Sequence, residues 1–146
     1  MLLNVLDQWN EFKKIIQTQR KKNQLNKKNV FYGSVGDIHS CRLGINIGYE
    51  ENGKWCLYAR PVLIIKKIGI MYFVVPMTTS EKHNIYHHIL NNTQLNYHKS
   101  QTPVPVSTLI LSQVRVVDAS RFSHKIATVS LSEMSLIKEK LKTLLL

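Results

Sequence analysis

Arg60-Pro61-Val62-Leu63-Ile64-Ile65, a turn through Lys66 to Gly69, and the return Ile70-Met71-Tyr72-Phe73-Val74-Val75-Pro76-Met77-Thr78-Thr79 form the stretch on which the reading of this chain depends. Both arms are rich in β-branched and aromatic residues and are joined by a short basic turn ending in Gly, the pattern of a buried β-hairpin. Antiparallel pairing brings the start of one arm beside the end of the other, which places Arg60 near Thr78. A guanidinium and a hydroxyl then share one edge of a rigid sheet, a pairing suited to holding a phosphate.

Upstream, Val35 to Leu43 reads as a first strand opening on Gly36-Asp37. Gly44 to Cys56 follows, with Gly44 and Gly48 in an apolar context and an Asn52-Gly53 turn signal. These mark a long loop that leads into Arg60. Loops of this length in small domains are often functional. Downstream, Ile85 to Leu90 reads as a strand, and Asn91 to Pro105, polar with two prolines, reads as a mobile loop. Ser107 to Val117 reads as one further strand, and Asp118 to Arg121 as a turn. Ser130-Leu131-Ser132-Glu133 has capping-box spacing, with Ser130 taking the N3 amide and Glu133 reaching back. Met134, Ile137, Leu141 and Leu144 continue on one face of a closing helix.

The N-terminal segment, Leu2 to about Lys22, has apolar residues at Leu2, Val5, Leu6, Trp9, Phe12 and Ile16, an amphipathic helical stripe. Such a helix lies on a membrane or docks through Trp9 and Phe12 on the body of the domain, and the second reading is preferred. Arg20 to Lys28 carries five cations and reads as a solvated linker or as an arm that touches RNA phosphates. Residues 1–30 are thus an N-terminal helix with a basic linker, and residues 31–146 the main domain. The expected fold is mainly β with flanking helices: five or so antiparallel strands, too closely spaced for parallel crossovers, in a small curved sheet or open barrel.

The 146 residues suit one compact domain. Twenty Lys and Arg against nine Asp and Glu give a net charge of +11 with His neutral, which favours a polyanionic partner. No apolar run reaches the roughly 18 residues that cross a bilayer, and no signal peptide is evident, so a cytoplasmic protein is expected. With only Cys41 and Cys56 in a reducing compartment, no structural disulfide is expected. The six His suggest no metal site: His83 and His87 have helical spacing in a segment that reads as strand, and only Glu81 stands at ligand spacing. No metal or other cofactor is expected. His87 and His88 point to opposite faces of their strand.

In order along the chain, Gly36-Asp37-Ile38, Gly48-Tyr49-Glu50, Arg60-Pro61-Val62-Leu63-Ile64, Pro76-Met77-Thr78-Thr79, Leu111 to Asp118 with Arg121, and Lys125-Ile126 resemble the PemK/MazF toxins of type II toxin-antitoxin systems. The similarity spans about Val35 to Leu146. The resemblance implies an SH3-like barrel of the CcdB/PemK kind with a terminal helix, a homodimer, and endoribonuclease activity on single-stranded RNA. It implies cleavage without a metal, by 2′-hydroxyl attack, leaving a cyclic phosphate and a free 5′ hydroxyl. The implied partner is an antitoxin whose acidic, disordered tail occupies the RNA site and through which the complex binds DNA.

Carried over residue by residue, the catalytic positions are Arg60, Thr78 and Glu50. Arg60 stabilises charge at phosphorus, Thr78 orients the phosphate or the attacking hydroxyl, and Glu50 is the candidate base. Tyr49, Lys54, Trp55 and Tyr58 fit a groove where unpaired bases stack beside cations, although ordinary loop packing explains the rings equally well. Lys66, Lys67, Thr79 and Gln113 complete the expected RNA contacts. Two departures stand out. The loop between Glu50 and Arg60 is longer than in short members, and Ser112 occupies a position that is acidic in many. Two non-catalytic alternatives are a gyrase-binding toxin of the same fold and a plain RNA-binding barrel. The gyrase-binding CcdB toxins end in Trp-Gly-Ile, whereas this chain ends Leu144-Leu145-Leu146.

Overall fold

The computed structural model describes residues 2–25, 33–54 and 58–146. The chain begins with α1 (Leu2–Leu25) and continues through β1 (Asp37–Arg42), β2 (Ala59–Ile68), β3 (Met71–Thr78), β4 (His87–Asn91), β5 (Leu95–Tyr97), β6 (Val106–Ile110), β7 (Arg115–Asp118) and β8 (Phe122–Val129) to α2 (Leu131–Leu145). The strands form an antiparallel, curled half-barrel in the order β4-β6-β3-β2-β1-β8-β5, with β7 also pairing with β3.

The hairpin is its centre. Val62 pairs with Pro76 and Ile64 with Val74, and Val62, Leu63, Ile64, Val74 and Val75 are fully buried. Strand alternation sends their side chains to two cores. Leu63, Val75, Met77, Ile38, Leu109 and Ala127 meet Met134, Ile137 and Leu141 of α2. On the other face Val62, Ile64, Val74, Tyr72, Cys41 and Phe122 form the second core. A sheet apolar on both faces requires a cover on each. Burial pushes the Cys41 thiol up to about 12.

Several expectations require correction. The hairpin turn is Gly69-Ile70 rather than Lys66 to Gly69, with Gly69 at φ +60°, so Lys66 and Lys67 belong to β2. The barrel has eight strands, not five or so. Ser107 to Val117 is two strands separated by a 3₁₀ turn at Leu111–Gln113, which shifts the register along β3 by three residues. Asn91 to Pro105, expected as a mobile loop, contains a 3₁₀ turn at Asn92–Gln94 and β5, because half-buried Leu95 and Tyr97 pack on the first core. β8 has no clean alternation to betray it, since its pairing with β1 carries register shifts.

At α2, Ser130 accepts from the Glu133 amide as its capping spacing implies. The Glu133 carboxylate does not reach back. It is buried against His88, Nε2 to Oε1 2.5 Å, and accepts from Gln94 Nε2 at 3.1 Å.

α1 continues to Leu25, so the first part of the basic stretch is helical rather than linker, as the good helix propensities of Lys, Gln and Leu allow. Trp9 is only 5% exposed, and its ring and that of Phe12 lie 5.2 and 5.8 Å from the ring of Tyr58. The helix is therefore docked on the domain. Gly44, at φ +80°, admits it: a Cβ there would stand 2.2 Å from the Trp9 ring. The rest of the basic linker, Trp55 and Cys56 lie outside the described residues. Among the described residues no helix is long and apolar enough to cross a membrane.

Candidate nucleic-acid site

Arg60 enters the structure at the open end of β2, paired with Cys41 of β1. The ladder with β3 ends at Val62–Pro76, two residues short of Arg60 and of Thr78, and these two residues line one cavity. An almost buried guanidinium, 8% exposed, must have its donors satisfied. Nε donates to the carbonyl of Asn52 at 2.6 Å, Nη1 to that of Met77 at 3.2 Å, and Nη2 pairs with Glu51 Oε1 at 2.5 Å.

The loop between β1 and β2 delivers these acceptors. Asn46 donates from Nδ2 to the carbonyls of Leu43 and Glu51, and its amide donates to Asn52 Oδ1. Gly53 donates its amide to the Gly44 carbonyl, and a Cβ on Gly53 would lie 1.6 Å from the Tyr58 carbonyl oxygen, so only glycine fits. Gln113 fastens the loop from the barrel side, donating to the Tyr49 carbonyl at 3.2 Å and accepting from the Glu51 amide at 3.3 Å.

The carboxylate on Arg60 is thus that of Glu51, the residue next to Glu50, the expected base. Glu50 is exposed and lines, with Glu51, Pro76, Gln113 and Arg115, a cleft of about 440 Å³. Arg115 pairs with Val74 and so extends from the same sheet face as Arg60. Sequence reading missed Glu51, Asn52 and Arg115. A second acidic residue directly after Glu50 was the available signal for the first.

The remaining expected contacts divide. Thr78 is half-buried, its Oγ1 accepting from the Ser80 amide at 3.3 Å, and Thr79 is exposed. Lys54 is exposed beside Ala59, and the Tyr49 ring is wholly exposed. These four surround the Arg60 end of the sheet. Tyr58 is buried beneath α1 at φ +52°, its ring spent on Trp9 and Phe12, so it presents no stacking surface. Lys66 and Lys67 lie toward the opposite end of β2, roughly 20 Å from Arg60 at about 3.3 Å per residue, and Lys67 covers Tyr72 instead. Gln113 serves the loop backbone. Trp55 lies outside the described residues.

Arg60 and Thr78 also border a cavity of about 610 Å³ with apolar walls from Ile38, Met77, Leu95, Tyr97 and Ile126. Most of those walls come from alternate positions on the α2 face of the sheet. Among the described residues no three potential metal ligands converge.

Residues 34–145 match the family described as PemK-like, MazF-like toxin of type II toxin-antitoxin system. No curated protein matches the chain. Among solved structures, a MazF from Deinococcus radiodurans superposes with a TM-score of 0.61 at 17% identity, over 79% of this chain and 97% of that one. The Mycobacterium tuberculosis toxin MazF-mt6 gives 0.53 at 16% identity over 73% and 93%. An endoribonuclease from a mycobacterial species, solved in complex with its cognate antitoxin, gives 0.51 at 15% identity over 78% and 95%. At these identities the superpositions establish the fold, a MazF-like half-barrel, and the family match covers most of the chain. The chain belongs to the PemK-like, MazF-like toxins of type II toxin-antitoxin systems.

Proposed function

We propose that this toxin is an endoribonuclease that cuts single-stranded RNA in the cytoplasm without a metal. The observation that carries the reading is Arg60, a nearly buried guanidinium held by a carboxylate and two carbonyls at the same end of the sheet as Thr78. An incoming phosphodiester replaces Glu51 on Arg60, because a phosphate oxygen offers the fork the same acceptor geometry as a carboxylate. The released Glu51 then stands beside the bound phosphate and accepts the proton of the ribose 2′ hydroxyl. Glu50, in the adjoining cleft, is the second candidate for that role.

The 2′ oxygen attacks phosphorus, the bond to the 5′ oxygen breaks, and that oxygen takes a proton from water, giving a cyclic phosphate and a 5′ hydroxyl. Arg60 stabilises the charge that gathers on the phosphoryl oxygens, a contribution on the order of 100- to 1,000-fold in rate for one preorganised donor. Thr78 orients the phosphate. The exposed Tyr49 ring, with Lys54 and Thr79, receives the flanking nucleotides. The working form is a homodimer, and a cognate antitoxin with an acidic segment neutralises it by competing for the same cations.

Incubation of the purified protein with mixed-sequence RNA in chelator, beside Arg60→Ala and Thr78→Ala, tests the reading. Cleavage by wild type with cyclic-phosphate ends, lost in Arg60→Ala, supports it. No cleavage by wild type, or equal cleavage by Arg60→Ala, overturns it in favour of a non-catalytic binder.

A further inference from the structure

α1 lies outside the region matched by the family, yet it builds one wall of a cleft of about 450 Å³. The opposite wall is the 3₁₀ turn Ala119–Arg121 that follows β7. Three cations line this cleft, Lys13 and Arg20 from α1 and Arg121 from the turn, against one carboxylate, Asp118. That carboxylate is already engaged. It accepts from the amide and hydroxyl of Ser120 at 2.9 and 2.5 Å, and Arg20 Nε lies 3.5 Å away.

The cations are held in place rather than left to wander. Lys13 Nζ and the Arg121 guanidinium lie 5.7 and 5.9 Å from the Trp9 ring, and Arg121 Nη1 donates to the Arg42 carbonyl at 2.9 Å. Burial, reinforced by the charge of Arg115, lowers the Arg121 pKa, so this guanidinium sits where an added anion would relieve it. Arg115 connects the cleft to the Arg60 end of the sheet: it lines the groove beside Glu51 and Gln113, and its charge reaches Arg121. β7 runs from Arg115 to Asp118 and therefore spans the interval between the two clefts.

We propose that the cleft between α1 and the Ala119–Arg121 turn binds a backbone phosphate of the same single-stranded RNA whose scissile phosphate lies at Arg60, with Lys13, Arg20 and Arg121 as its ligands. The N-terminal helix is then a nucleic-acid-binding element, added to the family core and docked through Trp9 so that its cations continue a basic track. This inference rests on the ribonuclease reading for the identity of the ligand. Continuity with the Arg60 groove through Arg115 puts the cleft within reach of the strand bound at Arg60, and an acidic protein segment on the same track is the competing occupant that the test distinguishes.

The test measures binding of mixed-sequence 2′-O-methyl single-stranded RNA, which a 2′-hydroxyl mechanism cannot cut, to the full chain across a salt series. Lys13→Gln/Arg20→Gln is compared with wild type and with Lys14→Gln, a cation on the exposed side of the same helix. The double variant is expected to bind about tenfold more weakly at low salt and to lower the salt slope by about 0.7, the loss of the one single-strand phosphate that the cleft holds. Lys14→Gln is expected to stay within about twofold of wild type. Helical circular dichroism and Trp fluorescence confirm that α1 remains docked.

An unchanged slope in the double variant, or an equal loss in Lys14→Gln, overturns the proposal. So does a poly-glutamate peptide that loses more affinity in the double variant than the RNA does, which assigns the cleft to a protein partner. Parallel cleavage of ordinary RNA separates the two readings. Wild type that cuts while the double variant binds normally refutes only the cleft.

Discussion

Glu51, not the adjacent Glu50, carries the carboxylate that closes on the Arg60 guanidinium, at 2.5 Å between Oε1 and Nη2. The loop reaches this position because Gln113 holds the Tyr49 carbonyl and the Glu51 amide while Asn46 ties Leu43 to Glu51. A phosphate and Glu51 cannot occupy the same face of one guanidinium. Glu51→Gln is therefore expected to bind 2′-O-methyl RNA several-fold more tightly while cutting ordinary RNA at least tenfold more slowly. Glu50→Gln is expected to change cleavage by less. Faster cleavage by Glu51→Gln would remove it as the base and leave it only as a competitor for Arg60.

Arg60→Lys is expected to lose nearly as much activity as Arg60→Ala, roughly 100-fold or more, because an ammonium cannot hold Asn52, Met77 and a phosphate oxygen in one planar fork. Single-turnover cleavage at saturating RNA measures this directly. Near-normal activity in Arg60→Lys would mean that charge alone suffices.

The buried His88–Glu133 pair ties β4 to α2, and Lys140 Nζ lies 2.8 Å from His88 Nδ1. An ammonium can only donate, so Nδ1 accepts and Nε2 carries the proton given to Glu133. Glu133→Ala strands both His88 and Gln94 and is expected to cost about 2–3 kcal/mol in urea unfolding. Cleavage per folded molecule is expected to persist. A cost under about 0.5 kcal/mol would show the pair to be incidental.

Two groups on β1 make stability depend on pH in the same direction. Burial depresses the His39 pKa more than the neighbouring Asp37 raises it. The folded state therefore resists protonation that the unfolded chain accepts, and stability falls as pH drops below about 6.5 toward the depressed folded value. Burial alone would raise the Asp37 carboxyl, but Lys125, the Ser34 amide and Thr128 together hold it below the ordinary range. Its contribution is present above about pH 4 and disappears as pH falls through the folded value. Urea midpoints are expected to be flat above about pH 7, to fall as pH drops below about 6.5, and to fall again below about 4. The first decline should shrink in His39→Gln.

Trp9 fastens α1 to the barrel, and Gly44 gives it room. Trp9→Ala is expected to cost about 3–5 kcal/mol if α1 unfolds with the domain, as a truncated buried aromatic does. Gly44→Ala, strained at φ +80° and in collision with the indole, is expected to expose Trp9. A blue-shifted indole emission retained in Gly44→Ala would refute the fit.

The hairpin was legible because its evidence is local: two apolar β-branched arms and a Gly turn specify pairing over adjacent residues, and that pairing brings Arg60 and Thr78 to the same end of the sheet. β5 and β8 were not legible. Leu95 to Tyr97 gains strand geometry from pairing with Val129 to Ala127, 30 to 34 residues away, and nothing in its own composition requires it. Tyr58 is expected as a stacking ring beside cations, and the packing of α1 on it leaves no free stacking face. Gln113 follows as an RNA contact from the resemblance alone, and its bonds to the loop backbone join residues more than 60 positions apart.

The sequence by itself determined the antiparallel β core, the two terminal helices, the family and the two residues at the hairpin edge, because each of these is written in periodicity or in contiguous motifs. Only the tertiary structure decided which carboxylate meets Arg60, that Glu133 serves His88 instead of its own helix cap, and that α1 and the Ala119–Arg121 turn together enclose a basic cleft. These depend on residues 9 (Glu51 and Arg60) to 112 (Trp9 and Arg121) positions apart in the chain meeting within a few ångströms. Loop closure and packing set such meetings, and neither leaves a pattern in the order of the residues.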